Sequence, residues 1–516
     1  MCYERAKPSE GRNMQLPAPI LAFPPEILGE IFAHCLPEYP GPTTPKQAPY
    51  LLCHVSHHFR EIAVSTPRLW SSLCVEYNDF ERYVDFCRNG AKAWLSRARS
   101  LPLSLILCDD WVRDRSSSHR PEDTLLPAVL GLSDQWRSLD LAGSFWDSLF
   151  ESGSLSGKVP LLEELSISVP SGAVLLHDAP KLCVLSVSAH SPESQVPWHQ
   201  LTTFHALHDV DIPSFLEILQ NSTNLLQASF ALSGDNEPSP LAVSDSRHAR
   251  LQRLALSSSE WEGVDERAIP MSLLEFLKLP ALKDLTINLD PEQSTLVALS
   301  PLLSFLSQPG LQLHTLALTF PQVPTRMGDL IKCLEQAPSL VVFRLHCAFI
   351  SDTDILFTQL TGHIGFLPRL EDLHVVFSID PSPESDSLTT AVVVQMLSWR
   401  WAALGITQLQ SFKLLHRELY RSEPVVFLDL LKSESEFQRL EGEGKIEKFD
   451  TDLQIWQFRP PTHGLGGFWN LNRRVEWIGQ PLPTFPTESP CAWSIFDPQL
   501  PFTDPIAVSP YVLPPP

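Results

Sequence analysis

Several short stretches carry residue types that could do chemistry. Gly153-Ser154-Leu155-Ser156-Gly157 has the serines and glycines of a nucleophile elbow, which would activate a hydroxyl for acyl transfer. That motif needs its serine midway between the glycines, after a strand and before a helix. Here Leu155 sits midway, in a run of small residues, so no catalytic serine is expected. His54, His57 and His58 lie at helical spacing and could offer imidazoles to a metal. A zinc site needs further ligands, and no paired Cys or His cluster supplies them, so solvent-facing or interface histidines are expected. Gly464-Leu465-Gly466-Gly467 is glycine-rich but does not follow a strand and open a helix, as a phosphate cradle must. None of the ten cysteines forms a C-x-x-C pair, and most sit among apolar residues. They read as reduced, buried thiols of a cytosolic or nuclear protein. With no Walker, kinase or dinucleotide pattern, the expectation is a protein that is not an enzyme and uses no metal or cofactor.

The chain around these residues has 516 residues, 43% of them hydrophobic and 19% charged, enough for several domains or one repeated unit. A formal net charge of −22 repels phosphate backbones and anionic headgroups, so neither nucleic acid nor a membrane is an expected partner. No window of about 18 apolar residues is present to cross a bilayer. Glu4, Glu10 and a proline-broken apolar stretch do not make a secretory leader. The Asn221-Ser222-Thr223 sequon is therefore not expected to be glycosylated.

The elements begin after a lead at residues 1–18 that reads as disordered. In Phe23-Pro24-Pro25-Glu26-Ile27-Leu28-Gly29-Glu30-Ile31-Phe32 the prolines suit a first helical turn, and Glu26 faces the positive end of the helix dipole. Apolar residues at 27, 28, 31, 32, 35 and 36 make one helix face. A proline-rich loop at 38–49 leads to a second helix carrying Leu51, Leu52, Val55, Phe59, Ile62 and Ala63. Thr66-Pro67 ends it, just before Leu69-Trp70.

Pro24-Pro25-Glu26-Ile27-Leu28, Ile31-Phe32, the Leu52–Val55–Ser56–Phe59–Arg60 helix and Thr66-Pro67-Arg68-Leu69-Trp70 together resemble an F-box, with Phe23 where leucine is usual. The long interhelix loop resembles that of the fungal-type F-box family. The resemblance implies that residues 19–75 are an F-box that docks a Skp-type adaptor, itself linked to a cullin scaffold. It also implies contacts through Pro24, Pro25, Ile27, Leu28, Ile31 and Phe32, with Val55, Phe59 and Trp70 closing the module. The other reading is that these side chains only pack against the rest of the chain.

From residue 101 an apolar-x-x-apolar-x-apolar pattern recurs, as at Leu162/Leu165/Ile167, Leu251/Leu254/Leu256, Leu282/Leu285/Ile287 and Leu340/Phe343/Leu345. Successive units fall 19 to 39 residues apart, the extremes being Leu182 to Leu201 and Leu370 to Leu409. Leucine-rich repeats run about 20–29 residues, so several units carry insertions. Helices are expected around 214–219, 272–277 and 330–334. Pro180, Pro280, Pro338 and Pro368 are expected to end helices just before a strand.

The predicted fold class is α/β: a helical F-box, a linker helix at 76–100, then a curved leucine-rich-repeat solenoid at 101–460 with parallel strands on its concave face. Residues 424–460 would make a capping unit whose Glu434-to-Asp452 acidic run is a solvated face. Residues 461–516 are a Pro-rich tail. The predicted function is the substrate-recruiting subunit of a cullin-type ubiquitin ligase, holding an unknown protein substrate on rows such as Glu164/Ser166, Arg253/Ala255, Lys283/Asp284/Thr286, Arg344/His346 and Glu371/Asp372/His374. The alternatives are a non-ligase interaction scaffold and, with no nucleophile–base pair to support it, a hydrolase.

Overall fold

The computed structural model describes residues 23–37, 46–76, 90–108, 122–142, 159–168, 179–187, 196–233, 246–258, 269–289, 298–320, 327–347, 353–379, 390–402 and 411–418, with a few single positions between them. The lead at 1–18, the interhelix residues 38–45, the Gly153–Gly157 motif, nearly all of the capping unit at 424–460 and the tail at 461–516 lie outside the described residues. Two compact units divide between Leu139 and Asp140.

In the first unit, helix α1 (Pro25–Ala33) starts on a proline with Glu26 in its first turn. The single second helix read from the sequence is two helices, α2 (Tyr50–Val55) and α3 (His57–Ser65). Ser56 breaks them by turning extended, at φ −161° and ψ 165°. Its Oγ accepts the Phe59 N–H at 3.1 Å, so the residue that ends one helix caps the next. Arg60 Nε donates to the Cys53 carbonyl at 2.9 Å and ties the break together. A 3-10 turn, Pro67–Trp70, leads into strand β1 (Ser72–Glu76), which the sequence pattern did not reveal.

β1 pairs in parallel with β2 (Leu103–Cys108), Leu73 opposite Leu105 and Val75 opposite Leu107. Helix α4 (Ala91–Ala98) lies within the span read as a linker helix and buries Trp94 and Leu95. Helix α5 (Glu122–Leu130) and strand β3 (Trp136–Ala142) follow, in the sheet order β1-β2-β3.

The second unit is a leucine-rich-repeat-type solenoid. The strands of its main sheet are β4 (Glu164–Ser168), β5 (Val184–Val187), β6 (Thr203–Val210), β7 (Gln227–Leu232), β8 (Arg253–Ser258), β9 (Asp284–Asn288), β10 (Thr315–Phe320), β11 (Val342–Cys347), β12 (Asp372–Ile379) and β13 (Ser411–Glu418). They pair in sequence order, all parallel. Helices α6 (Ile212–Asn221), α7 (Ile269–Leu273), α8 (Ser300–Leu306), α9 (Met327–Glu335), α10 (Thr353–Gly362) and α11 (Thr390–Ala402) occupy the longer connections.

The register explains the repeated apolar pattern. Leu165, Leu185, Phe204, Ala228, Leu254, Leu285, Leu316, Phe343 and Leu373 are successive partners on neighbouring strands, and every one is buried. No unit could cover this row alone, whereas a stack covers it continuously. The backbone repeats as faithfully. The Gln252 carbonyl accepts N–H groups from Lys283 and Asp284, the Lys283 carbonyl from His314 and Thr315, and the His314 carbonyl from Val341 and Val342, all within 2.7–3.0 Å.

Pro180, Pro280, Pro338 and Pro368 do not end helices directly. Each is the second residue of a four-residue turn in which the leucine N–H bonds the carbonyl three residues back, as Leu282 to Leu279 at 3.1 Å. Proline's fixed φ suits that position, and the turn drops the leucine into the core.

Candidate protein-docking surfaces

α1 carries apolar side chains on two adjacent rows. One residue advances about 100° around a helix, so Leu28 and Phe32 face a different direction from Ile27 and Ile31. The Leu28/Phe32 row turns inward. Phe32 is 1% exposed, and its ring lies 4.9 Å from that of Phe59 on α3. Gly29 lets α1 approach closely, since a Cβ there would stand 3.1 Å from Thr66 Oγ1. Trp70 is fully buried, donating Nε1–H to the Ala63 carbonyl at 2.8 Å, with the Arg97 guanidinium 4.4 Å from its ring centre.

Of the six residues expected to touch an adaptor, Leu28 and Phe32 are interior, as are Phe59 and Trp70, which were expected to close the module. They hold α1, α3 and the 3-10 turn together. Pro24, Pro25, Ile27, Ile31 and Val55 are exposed, with Ile27 at 47%, Ile31 at 37% and Val55 at 58%. Phe23 and Leu51 are exposed too. Ile27 and Ile31 stand four residues apart on α1, with Phe23 just before the helix, and Leu51 and Val55 stand four apart on α2. Of the apolar residues read on one side of the second helix, Leu51 and Val55 face out while Leu52 and Phe59 are buried. On the outer face of this module Arg68 Nη1 lies 3.1 Å from Glu30 Oε2, both side chains well exposed.

His54 and His57 fall on different helices, and His57 Nδ1 lies 3.5 Å from Glu61. Among the described residues no cluster of three His, Cys, Asp or Glu side chains could hold a metal ion. Cys53, Cys74 and Cys333 are buried thiols outside any disulfide, Cys183 is half-buried, and Cys35 is exposed. Burial pushes the Cys333 thiol up to about 12, far from a reactive thiolate.

The second surface is the solvent face of the sheet. Residues alternating with the buried row point away from the core. Ser166, Ser186, His205, Ser229, Ala255, Thr286, Ala317, Arg344, His374 and Lys413 occupy one register row across β4–β13. The expected row residues Glu164, Arg253, Asp284 and Asp372 lie in the neighbouring row. Arg253 bonds Asp284 on the next strand at 2.9 Å, and Arg344 stands 3.6 Å from Asp372.

Two polar residues are deeply placed. His205 Nδ1 lies 2.8 Å from Ser229 Oγ, and burial lowers its pKa to about 4. Arg400 on α11 is fully buried and donates to three backbone carbonyls: Leu360 at 3.1 Å, Leu367 at 2.9 Å and Phe366 at 2.8 Å. Nothing in the sequence marked Arg400, because its acceptors are backbone atoms that the sequence does not place beside it. Among the described residues no helix is long and apolar enough to cross a membrane.

No family model matches the chain, and no curated protein matches it. Among solved structures the chain is similar to internalin C2 from Listeria monocytogenes, at 18% identity over 43% of this chain and 82% of that one, with a TM-score of 0.22. A score that low lends no weight to any shared function, so the parallel register and the buried leucine row carry the solenoid assignment.

Proposed function

We propose that the chain is the substrate-recruiting subunit of a cullin-type ubiquitin ligase. The exposed apolar rows of α1 and α2 dock a Skp-type adaptor, and the solvent face of the solenoid sheet holds a target protein. The supporting observation is the set Ile27, Ile31, Leu51 and Val55, large apolar side chains left open on two short helices whose inner faces are already filled, with Phe23 exposed just before the first. Fully burying one such side chain is worth about 1.5–3 kcal/mol, so covering the set would stabilise a complex substantially. A helical apolar face seated in a partner's groove is a common recognition mode.

The mechanism is proximity. Holding adaptor and target on one chain raises the effective concentration of a target lysine near the ubiquitin-charged enzyme. The chain supplies geometry and no reacting group.

The test is co-purification of Ile31→Asp/Val55→Asp with adaptor and cullin. A carboxylate at either position should abolish adaptor recovery, because a buried unpaired charge is costly, while circular dichroism stays that of the wild type. Unchanged adaptor recovery would sink the reading. Recovery of adaptor without cullin from the wild-type chain would instead favour a scaffold outside any ligase.

A further inference from the structure

The turns that lead into the solenoid strands share one hydrogen bond. The leucine N–H closes on the carbonyl three residues back: Leu225 on Ser222, Leu282 on Leu279, Leu340 on Ala337 and Leu370 on Leu367, within 3.0–3.2 Å. Before β8 the same place in the turn is filled by His248-Ala249-Arg250-Leu251, and the acceptor changes. Here the Leu251 N–H donates to the imidazole Nδ1 of His248, at 3.0 Å. The ring's other nitrogen, Nε2, lies 2.8 Å from the Ser222 carbonyl, which is the turn acceptor of the preceding unit.

Those two partners fix the state of the ring. A backbone N–H can only donate, so Nδ1 carries no proton, and a carbonyl can only accept, so Nε2 carries one. His248 is 5% exposed. Its own N–H donates to the Lys278 carbonyl at 3.1 Å, where Ser246–Arg247 pairs in parallel with Leu277–Lys278. One neutral imidazole therefore ties three successive units together. On the elements packed here, Glu217 of α6, Glu275, Lys278 and Arg250 are all exposed, and Arg247 precedes the histidine in the chain. An imidazolium would thus sit in the interior between a backbone carbonyl and a backbone N–H, with a proton on Nδ1 facing the proton of Leu251. The carbonyls that close the other turns take up no proton.

We propose that His248 is an acid-sensitive latch within the solenoid. Proton uptake at Nδ1 expels the Leu251 N–H and loosens the turns before β7 and β8, while the turns closed on carbonyls hold. Ser229 and Ala255 of the solvent-face row stand on the strands that these two turns start, so the latch links acidity to the sheet face at that place.

Hydrogen exchange of the full chain tests the latch, read by mass spectrometry at about pH 7.5 and about pH 5.5 with rates corrected for intrinsic exchange. On acidification the 222–227 and 246–254 segments should lose about tenfold in protection relative to the carbonyl-closed turns at 279–284 and 337–342. His248→Gln should show no such difference, because its amide can accept from Leu251 and donate to Ser222 but takes up no proton. His248→Ala should exchange fast in the same segments at both values. An equal acid response of all four turns in the wild type would overturn the proposal, since it marks general loosening. So would an acid response in His248→Gln as large as the wild type's, or full protection in His248→Ala. A response centred instead on 203–206 and 227–232 would trace to His205 and also overturn it. The comparison among turns of the wild-type chain decides the matter if either variant misfolds.

Discussion

The indole of Trp94 meets that of Trp70 edge to face, their ring centres 4.9 Å apart and their planes at 79°. Trp70 ends the helical module, and Trp94 belongs to the helix before β2. Trp94 also donates Nε1–H to the Ser72 carbonyl at 3.1 Å, at the start of β1. Tyr50 closes the cluster at 6.1 Å from Trp70 and 5.2 Å from Trp94. The cluster welds the three-helix module to the first strands. Trp94→Ala should lower the stability of the first unit by about 3–5 kcal/mol, through lost burial and the cavity left behind. Urea unfolding followed by circular dichroism measures it; a loss below about 1 kcal/mol would mean the two parts hold independently.

Phe32 and Ile31 are neighbours with opposite roles. Phe32→Ala removes a ring packed on Phe59 and should cost about 3–5 kcal/mol of stability. Ile31→Ser and Val55→Ser alter exposed positions and should change stability by less than about 0.5 kcal/mol. Thermal melts of the three variants check this. Equal destabilisation by all three would show that the exposed row is covered in solution.

Arg400 links α10 and α11 to the turn before β12. One of its acceptors, the carbonyl of Leu367, belongs to a residue at φ 46°, the left-handed region that a leucine occupies only under constraint. Arg400→Met should destabilise the second unit by about 3 kcal/mol or more, because three buried carbonyls lose their donors. Arg400→Lys should recover little, since an ammonium cannot reproduce the planar fork. Burial lowers the guanidinium pKa only to about 10, so the side chain stays charged at neutral pH.

His205 makes stability depend on pH. Its folded pKa, about 4, lies below the ordinary value of 6.5, so the unfolded chain takes up the proton first. Its contribution is complete above pH 6.5 and is lost as pH falls from 6.5 towards 4, by at most about 3 kcal/mol. His205→Gln should flatten the stability profile in that window. A wild-type and variant profile of equal slope between pH 4 and 6.5 would rule this out.

Much of the architecture was legible in the residues. The apolar-x-x-apolar-x-apolar pattern marked the sheet strands from β2 on, since alternate side chains of a strand share a face and a parallel stack needs the same face apolar in every unit. The helices around 214–219 and 330–334 emerged at Ile212–Asn221 and Met327–Glu335. β1 escaped because Leu73, Cys74 and Val75 are all buried, so its two faces show no alternation. The break at Ser56 escaped because Leu52, Phe59 and Ile62 keep a helical spacing across it.

The sequence alone determined that the amino-terminal helices hold more apolar surface than one face can hide, and that the later segments must stack as parallel repeats. Only the tertiary structure decided which apolar row stays outside. Leu28/Phe32 and Ile27/Ile31 are equally apolar, and nothing local ranks them. Phe59 on α3 and the Thr66 close approach to Gly29 choose the first row for the core, and the second is left facing solvent.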